Sequence, residues 1–562
     1  VKMRPSSECL LLSLTLSAVV GHLQGPEVTL PLGKLRGIFQ ETINGREISS
    51  FLGVPYAQPP IGELRFKEPV PVKPWPETFN ANTHPNICLQ PSNTRNVGSE
   101  DCLYLNVYTP KVPEQGDDSK LDVIFNIHGG AFQFGYGHLH GPEYLLDEKD
   151  VVLITFNYRL GVLGFLSLQD DLLPGNYGLK DQLLALKWVN ENIAAFGGDP
   201  NKITLIGCSA GSASVEFHLL SQKSKGLFQK AIALSGSVLN PWAIDEHPKS
   251  HAAQVARSLG CPVGNSRATV ECLLQQPAEL LTSKARIFVK FLGHNDMVVM
   301  PVVEKPSATA FLDKSPTEII KSGQASDIPL LMTHTDDDAL FLAAEIFTNS
   351  SAVSDLENNW ERLLPLVMKY RAKDGFEGEV AQSVKDFYLG GRGISETPEG
   401  LTRLMTDRYL AVGIQESVKL HAEHYNSPVY SYIFTHTGGK RLSDKYNHSE
   451  VYKGGAVHAD DFFYVFHSPD IIAKRTGDLA EEAMSKKLIE LLMDFIQNDP
   501  VSGWKTVQSA LPDLAYLEIA GPESSQINLK TKTDFSAEQF WKSLPLEENI
   551  DETDGVKMND EL

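Results

Sequence analysis

Apolar and polar positions along this chain switch between two rhythms. Short, largely apolar runs rich in β-branched residues occur at 123–127, 151–156, 203–206, 231–234, 328–332 and 429–434. That is the composition of strands covered on both faces. Between them the apolar residues fall at helical spacing. Residues 181–195 present Leu183, Leu184, Leu186, Trp188 and Val189 as one stripe, and 213–220 read as a shorter helix. Residues 355–420 read as a helical insertion over the sheet, of a kind that shapes a substrate gorge. The alternation predicts an α/β fold with a large, mainly parallel central sheet flanked by helices.

Composition narrows the function classes. The 562 residues are 42% hydrophobic, enough for a large core, and no internal repeat interrupts them. A formal net charge of −21 removes nucleic-acid binding, because phosphates require a basic face. Met3-Arg4 precedes an apolar run from Leu10 to Val20, followed by Gly21 and Gly25. The run is too short to cross a bilayer and fits a signal peptide, so residues 1–25 read as a leader. No later segment predicts a membrane span.

Cysteine usage fits an oxidising lumen. Cys9 leaves with the leader, Cys88 lies near Cys102, and Cys261 lies near Cys272, so each pair would close a small loop. Cys208 is left over and reads as a reduced, packed thiol. Asn349 and Asn447 open glycosylation sequons. The chain ends Asn559-Asp560-Glu561-Leu562, close to the Lys-Asp-Glu-Leu signal read by an endoplasmic-reticulum retrieval receptor. The expected location is therefore the secretory pathway, in that lumen if the signal is read and secreted otherwise. Residues 26–545 remain as a single catalytic domain, with 546–562 as an acidic tail.

The chemistry is carried by Gly207-Cys208-Ser209-Ala210-Gly211. Gly-x-Ser-x-Gly between a strand and a helix is the pattern of a strained turn that lifts a serine clear of a sheet. Ser209 is thus a candidate nucleophile. A serine hydroxyl also needs a base, an orienting acid and an oxyanion hole. His128-Gly129-Gly130 follows the strand-like run at 123–127, and paired glycines there let backbone N–H groups of Gly129 and Gly130 approach an oxyanion beside that of Ala210. Among sixteen histidines, His458 stands out in a loop of small residues, Gly455-Ala456-Val457-His458. The acid should lie between Ser209 and His458. Asp336-Asp337-Asp338 follows the run ending at Met332, and the residues alone leave the choice among the three open.

These residues resemble the type-B carboxylesterases, the carboxylesterase/cholinesterase family of α/β-hydrolases. The likeness rests on Phe51-Leu52-Gly53-Val54-Pro55-Tyr56-Ala57, Leu64-Arg65-Phe66, Glu100-Asp101-Cys102-Leu103-Tyr104-Leu105-Asn106-Val107 and Asn157-Tyr158-Arg159. It extends through Gly178-Leu179-Lys180-Asp181-Gln182, Phe196-Gly197-Gly198-Asp199-Pro200, Ser235-Gly236-Ser237 and Gly455-x-x-His458. The resemblance implies the α/β-hydrolase fold and a serine esterase needing no cofactor or metal. It implies Ser209 as nucleophile, His458 as base and Ser235 as support for the acid. It selects Asp338, where most members carry Glu followed by Gly rather than this Asp338-Ala339. It also implies the disulfides Cys88–Cys102 and Cys261–Cys272.

The departures from relatives are informative. The Cys88–Cys102 loop is short and lacks the tryptophan with which cholinesterases bind choline esters. Adhesion members similar to neuroligins usually lack the serine and carry a membrane span. Juvenile-hormone esterases typically have Gln at the position of Cys208. The pattern looks closest to insect-type carboxylesterases. The expected function is hydrolysis, by water, of small to medium apolar esters such as xenobiotic, pheromone or hormone esters. The rival reading is a slow-turnover, ester-sequestering or non-catalytic binding member of the same family.

Overall fold

The computed structural model describes residues 25–549 apart from 93–94, 115, 117–119, 293, 296–298, 440 and 473–477. Nearly all of the leader and the terminal Asn559–Leu562 signal lie outside the described residues. The sheet strands are β1 (Ile38–Glu41), β2 (Glu47–Pro55), β3 (Tyr104–Thr109), β4 (Leu121–Ile127), β5 (Val152–Phe156), β6 (Gly198–Cys208), β7 (Lys230–Leu234), β8 (Leu330–Thr335), β9 (Val429–Phe434), β10 (Leu514–Ile519) and β11 (Ile527–Lys532). They form one eleven-stranded sheet in the order β11-β10-β9-β8-β7-β6-β4-β5-β3-β2-β1. From β10 to β5 every pairing is parallel. The margins are antiparallel, at β10 with β11 and through β5, β3, β2 and β1. The sheet is therefore mixed, with a parallel centre.

Side chains alternate across this sheet as a pleat requires. Val123, Phe125 and Ile127 of β4 join one core layer, and Ile124 joins the other. The first layer is covered by α1 (Tyr177–Asn192) and α2 (Ala210–Leu220), through Leu179, Leu186, Val215 and Phe217. Two further helices on the acid side are α3 (Leu340–Phe347) and α4 (Pro398–Thr406). A π-helical turn, Asp407–Ala411, joins α4 to α5 (Val412–His424), completing a helical insertion. The second layer is covered by α6 (Leu479–Gln497), through Met484, Leu488 and Leu492.

Some boundaries differ from the apolar pattern. β8 runs through Thr335 rather than stopping at Met332, because Thr333, His334 and Thr335 are polar yet fully covered. α2 starts at Ala210, and α1 at Tyr177. Cys88–Cys102 and Cys261–Cys272 are disulfide-bonded, and Cys208 is free and buried. The sequon residues Asn349 and Asn447 are both exposed. Among the described residues no helix is long and apolar enough to cross a membrane.

One buried ion pair fixes the segment leaving β5. Arg159 donates from Nε to Asp181 Oδ2 and from Nη2 to Oδ1, both at 2.7 Å, and its N–H reaches Oδ2 at 3.0 Å. The same segment anchors the loop after β4: Tyr158 donates its hydroxyl to His128 O at 2.9 Å, and Gly161 its N–H to Phe132 O at 2.7 Å. Asp181→Ala leaves the Arg159 charge buried without its counter-ion and is expected to cost about 3–5 kcal/mol. A thermal melt matching wild type would contradict this.

Candidate active site

Four strand ends converge at one place on the carboxyl edge of the parallel centre. Ser209 follows β6 with φ 63° and ψ −124°, a backbone conformation costing about 1–3 kcal/mol for a residue with a side chain. Close packing of main chain against main chain holds it there. A Cβ on Gly207 would lie 2.4 Å from Gly211 C, one on Gly211 would lie 2.1 Å from Ile127 O, and one on Gly236 would lie 2.5 Å from Ser209 O. The Ser209 N–H donates to Leu234 O at 2.9 Å, and its carbonyl accepts from Ala213 N–H at 3.0 Å. Ser209 stays partly exposed while the helix behind it is buried.

The loop after β4 lies against this turn. A Cβ on Gly129 would come within 3.1 Å of Ser209 Cβ. The next three residues are all left-handed, Gly130 at φ 108°, Ala131 at 52° and Phe132 at 56°. Gly130 O ties the coil by accepting from Gln133 and Phe134 N–H, at 2.9 and 3.0 Å. Phe132 is fully buried, its ring 5.2 Å from that of Phe165. Among the described residues neither Gly129 nor Gly130 N–H has a hydrogen-bond acceptor within the chain. The N–H of Ala210 opens α2, where no intrahelical acceptor exists. His128 beneath them is stacked on Tyr158, and burial pushes its pKa down to about 4, so the ring is neutral.

Of the three aspartates, Asp338 faces His458. Its Oδ1 lies 2.6 Å from His458 Nδ1. Its Oδ2 accepts from Ser235 Oγ at 2.6 Å and from Thr335 N–H at 3.0 Å. Burial alone would raise its pKa. The His458 charge and these donors outweigh burial and hold it below the ordinary carboxylate value. Asp338 is fully buried, whereas His458 is 9% exposed. Asp336 and Asp337 point away, toward the main chain at 455–456. Burial, then the Asp337 charge, pushes Asp336 up to about 7. Among the described residues no hydrogen bond joins Ser209 to His458, a separation that substrate-free sites often show.

Several contributors carry no sequence signal. Phe341 on α3 stacks on the His458 ring at 5.2 Å between centroids. Thr406, at the end of α4, accepts the Ala339 N–H at 3.0 Å and so steadies the acid loop. Asp461 lies fully buried behind the pair and accepts from Tyr432 OH at 2.8 Å; burial pushes it up to about 6. Cys208 packs in the core under Ser209, and burial raises its pKa well above the ordinary thiol value, which keeps it protonated and unreactive. Among the described residues no group of three or more His, Cys, Asp or Glu side chains could hold a metal ion.

A partly exposed serine, unpaired N–H groups beside it and a buried carboxylate–imidazole pair are the parts that acyl transfer requires. Known proteins are similar to the chain over most of its length. The model of the carboxylesterase family matches residues 24–540. A carboxylic ester hydrolase of Bombus ignitus is 36% identical over 544 residues, covering 94% of this chain and 95% of its own. Esterase FE4 of Myzus persicae is 37% identical over 509 residues, covering 89% of this chain and 87% of its own. The solved structure of juvenile hormone esterase from Manduca sexta, with OTFP covalently attached, superposes with a TM-score of 0.79 at 30% identity, covering 92% of this chain and 97% of that one.

The geometry ranks the aspartates, and substitution tests the ranking. Asp338→Asn is expected to lower kcat for p-nitrophenyl acetate by about a thousandfold or more, because the amide disfavours the imidazole tautomer that a base needs. Asp336→Asn and Asp337→Asn should stay close to wild type. The opposite ranking would remove Asp338 from the site.

Proposed function

The chain belongs to the carboxylesterase family and is a carboxylic ester hydrolase, and on that premise we propose that it works through an acyl-enzyme on Ser209. The observation that carries the proposal is the 2.6 Å contact between Asp338 and His458 Nδ1, on the same sheet edge as the Ser209 turn. Ser209 Oγ attacks the ester carbonyl carbon while His458 Nε2 takes the hydroxyl proton. The carbonyl π pair moves onto oxygen, where the N–H groups of Gly129, Gly130 and Ala210 receive it. Each such donor is worth about 3–4 kcal/mol in the transition state. Asp338 holds the Nδ1–H and stabilises the imidazolium.

Collapse of the tetrahedral intermediate breaks the bond to the leaving alcohol, which takes the proton from Nε2. Water then attacks the acyl carbon, gives its proton to His458, and the carboxylic acid leaves as that proton returns to Ser209. Ser235 acts through Asp338, not on substrate. The covalent adduct in the Manduca sexta relative supports a covalent route.

The substrates proposed are small to medium apolar esters, including xenobiotic, pheromone or hormone esters. The Phe341 ring beside His458 supports an apolar group there, and the net charge of −21 disfavours strongly anionic esters. The two disulfides suit an oxidising secretory compartment. Retrieval through Asn559–Leu562 and glycosylation at Asn349 and Asn447 belong to the same proposal.

An organophosphate should label Ser209, and Ser209→Ala should lower p-nitrophenyl acetate turnover by about a thousandfold or more. Labelling at another residue, or full turnover in the variant, defeats the assignment. A stoichiometric burst followed by negligible steady-state turnover would favour sequestration over catalysis.

A further inference from the structure

The segment that delivers His458 has no regular secondary structure from Tyr452 to Val457 and contains two consecutive glycines, Gly454 and Gly455. Glycine pairs loosen a backbone. Here their freedom is cancelled from two sides. On one side, Asp337 Oδ2 accepts from Gly455 N–H at 2.6 Å and from Tyr452 OH at 2.8 Å. Asp336 Oδ1 accepts from Ala456 N–H at 2.7 Å and from Asp337 N–H at 3.1 Å. The Asp337 N–H also donates to Ala456 O at 3.0 Å, and the His458 N–H to Asp338 O at 3.1 Å. On the other side, the mostly buried Arg441 guanidinium donates to Gly455 O at 2.8 Å and to Lys453 O at 2.9 Å. The acid loop thus holds the N–H groups of Gly455, Ala456 and His458 together with Ala456 O, and Arg441 holds the carbonyls of Lys453 and Gly455. The fit is tight: a Cβ on Gly455 would lie 2.5 Å from both carboxylate oxygens of Asp336.

We propose that Asp336 and Asp337 are positioning residues for hydrolysis, holding the 452–458 segment so that the His458 ring stays aligned between Asp338 and Ser209. The proposal rests on the reading of His458 as the base. It gives the run of three aspartates a division of labour: one carboxylate orients the ring, and two orient the backbone that carries the ring. Reacting groups displaced by an ångström lose about a hundredfold in rate, so a loosened loop is felt in kcat while the binding surface is left alone.

The test compares Asp336→Ala and Asp337→Ala with the Asn variants at each position, in the full-length protein. Active sites are counted by titration with a fluorophosphonate. Each aspartate uses one oxygen for both of its bonds, which an amide oxygen can replace. The Ala variants are therefore expected to lose about tenfold or more in kcat per titrated site, with KM for p-nitrophenyl acetate within about twofold, and the Asn variants to recover most of the loss. Wild-type kcat per titrated site in the Ala variants overturns the proposal, even if the melting temperature falls. Should the Ala variants not fold, Gly455→Ala drives a Cβ into the Asp336 carboxylate from the outer loop. It must show the same loss in kcat at unchanged KM, and an unchanged kcat again overturns the proposal. His458→Ala is measured alongside. If it keeps turnover, the reading of the base fails; if it is inactive while the Asp→Ala variants match wild type, only the positioning role fails.

Discussion

Ser209 can hold a left-handed backbone because four glycines let main chain close in around its turn. Gly207 and Gly211 close the turn on itself, Gly129 arrives from the end of β4, and Gly236 from the end of β7. A Cβ at any of these positions would come within 2.5 Å of a main-chain atom. The serine, the unpaired N–H groups beside it and the start of α2 are therefore one steric arrangement. The strain is carried by a sheet whose central strands are buried on both faces.

Charge is distributed around this point by the same economy of partners. Asp338, Asp336 and Asp461 are all carboxyls in a covered environment. Asp338 has the imidazole and two further donors, so it stays ionised. Asp336 and Asp461 face no comparable cation, and burial moves both toward neutrality. The negative charge that would stabilise an imidazolium is concentrated on the one carboxylate that touches the ring.

The fold and most of the site were legible because their signals are local. Six of the seven strands of the parallel centre show as apolar runs, all but β10, and the Ser209 turn and the paired glycines are each a few adjacent residues. The antiparallel marginal strands β1, β2, β3 and β11 are interrupted by polar residues and lack comparable unbroken runs. The end of β8 is hidden by Thr333, His334 and Thr335, which are polar yet buried, with the His334 ring stacked on Phe535. The three aspartates were inseparable in the residues alone because chemistry does not distinguish them. What separates them is a loop more than a hundred residues later along the chain. Thr406 was invisible for the same reason, since it acts on main chain far away in sequence, and Arg441 because no motif marks a side chain that caps carbonyls of a loop without regular structure.

The unpaired thiol at Cys208 has a bearing on how the chain matures. Both disulfides join cysteines near in sequence, at separations of 14 and 11 residues, and Cys208 lies between the two pairs and distant from each. Short loops close at a lower entropic cost than long ones, so correct partners meet before Cys208 can compete. Once β6 is laid into the sheet, Cys208 is covered and held as the protonated thiol, the form that does not take part in exchange. An odd cysteine directly beneath the chemistry is thus compatible with an oxidising compartment without a shuffling hazard, because contact order and burial, rather than pairing, keep it out of play.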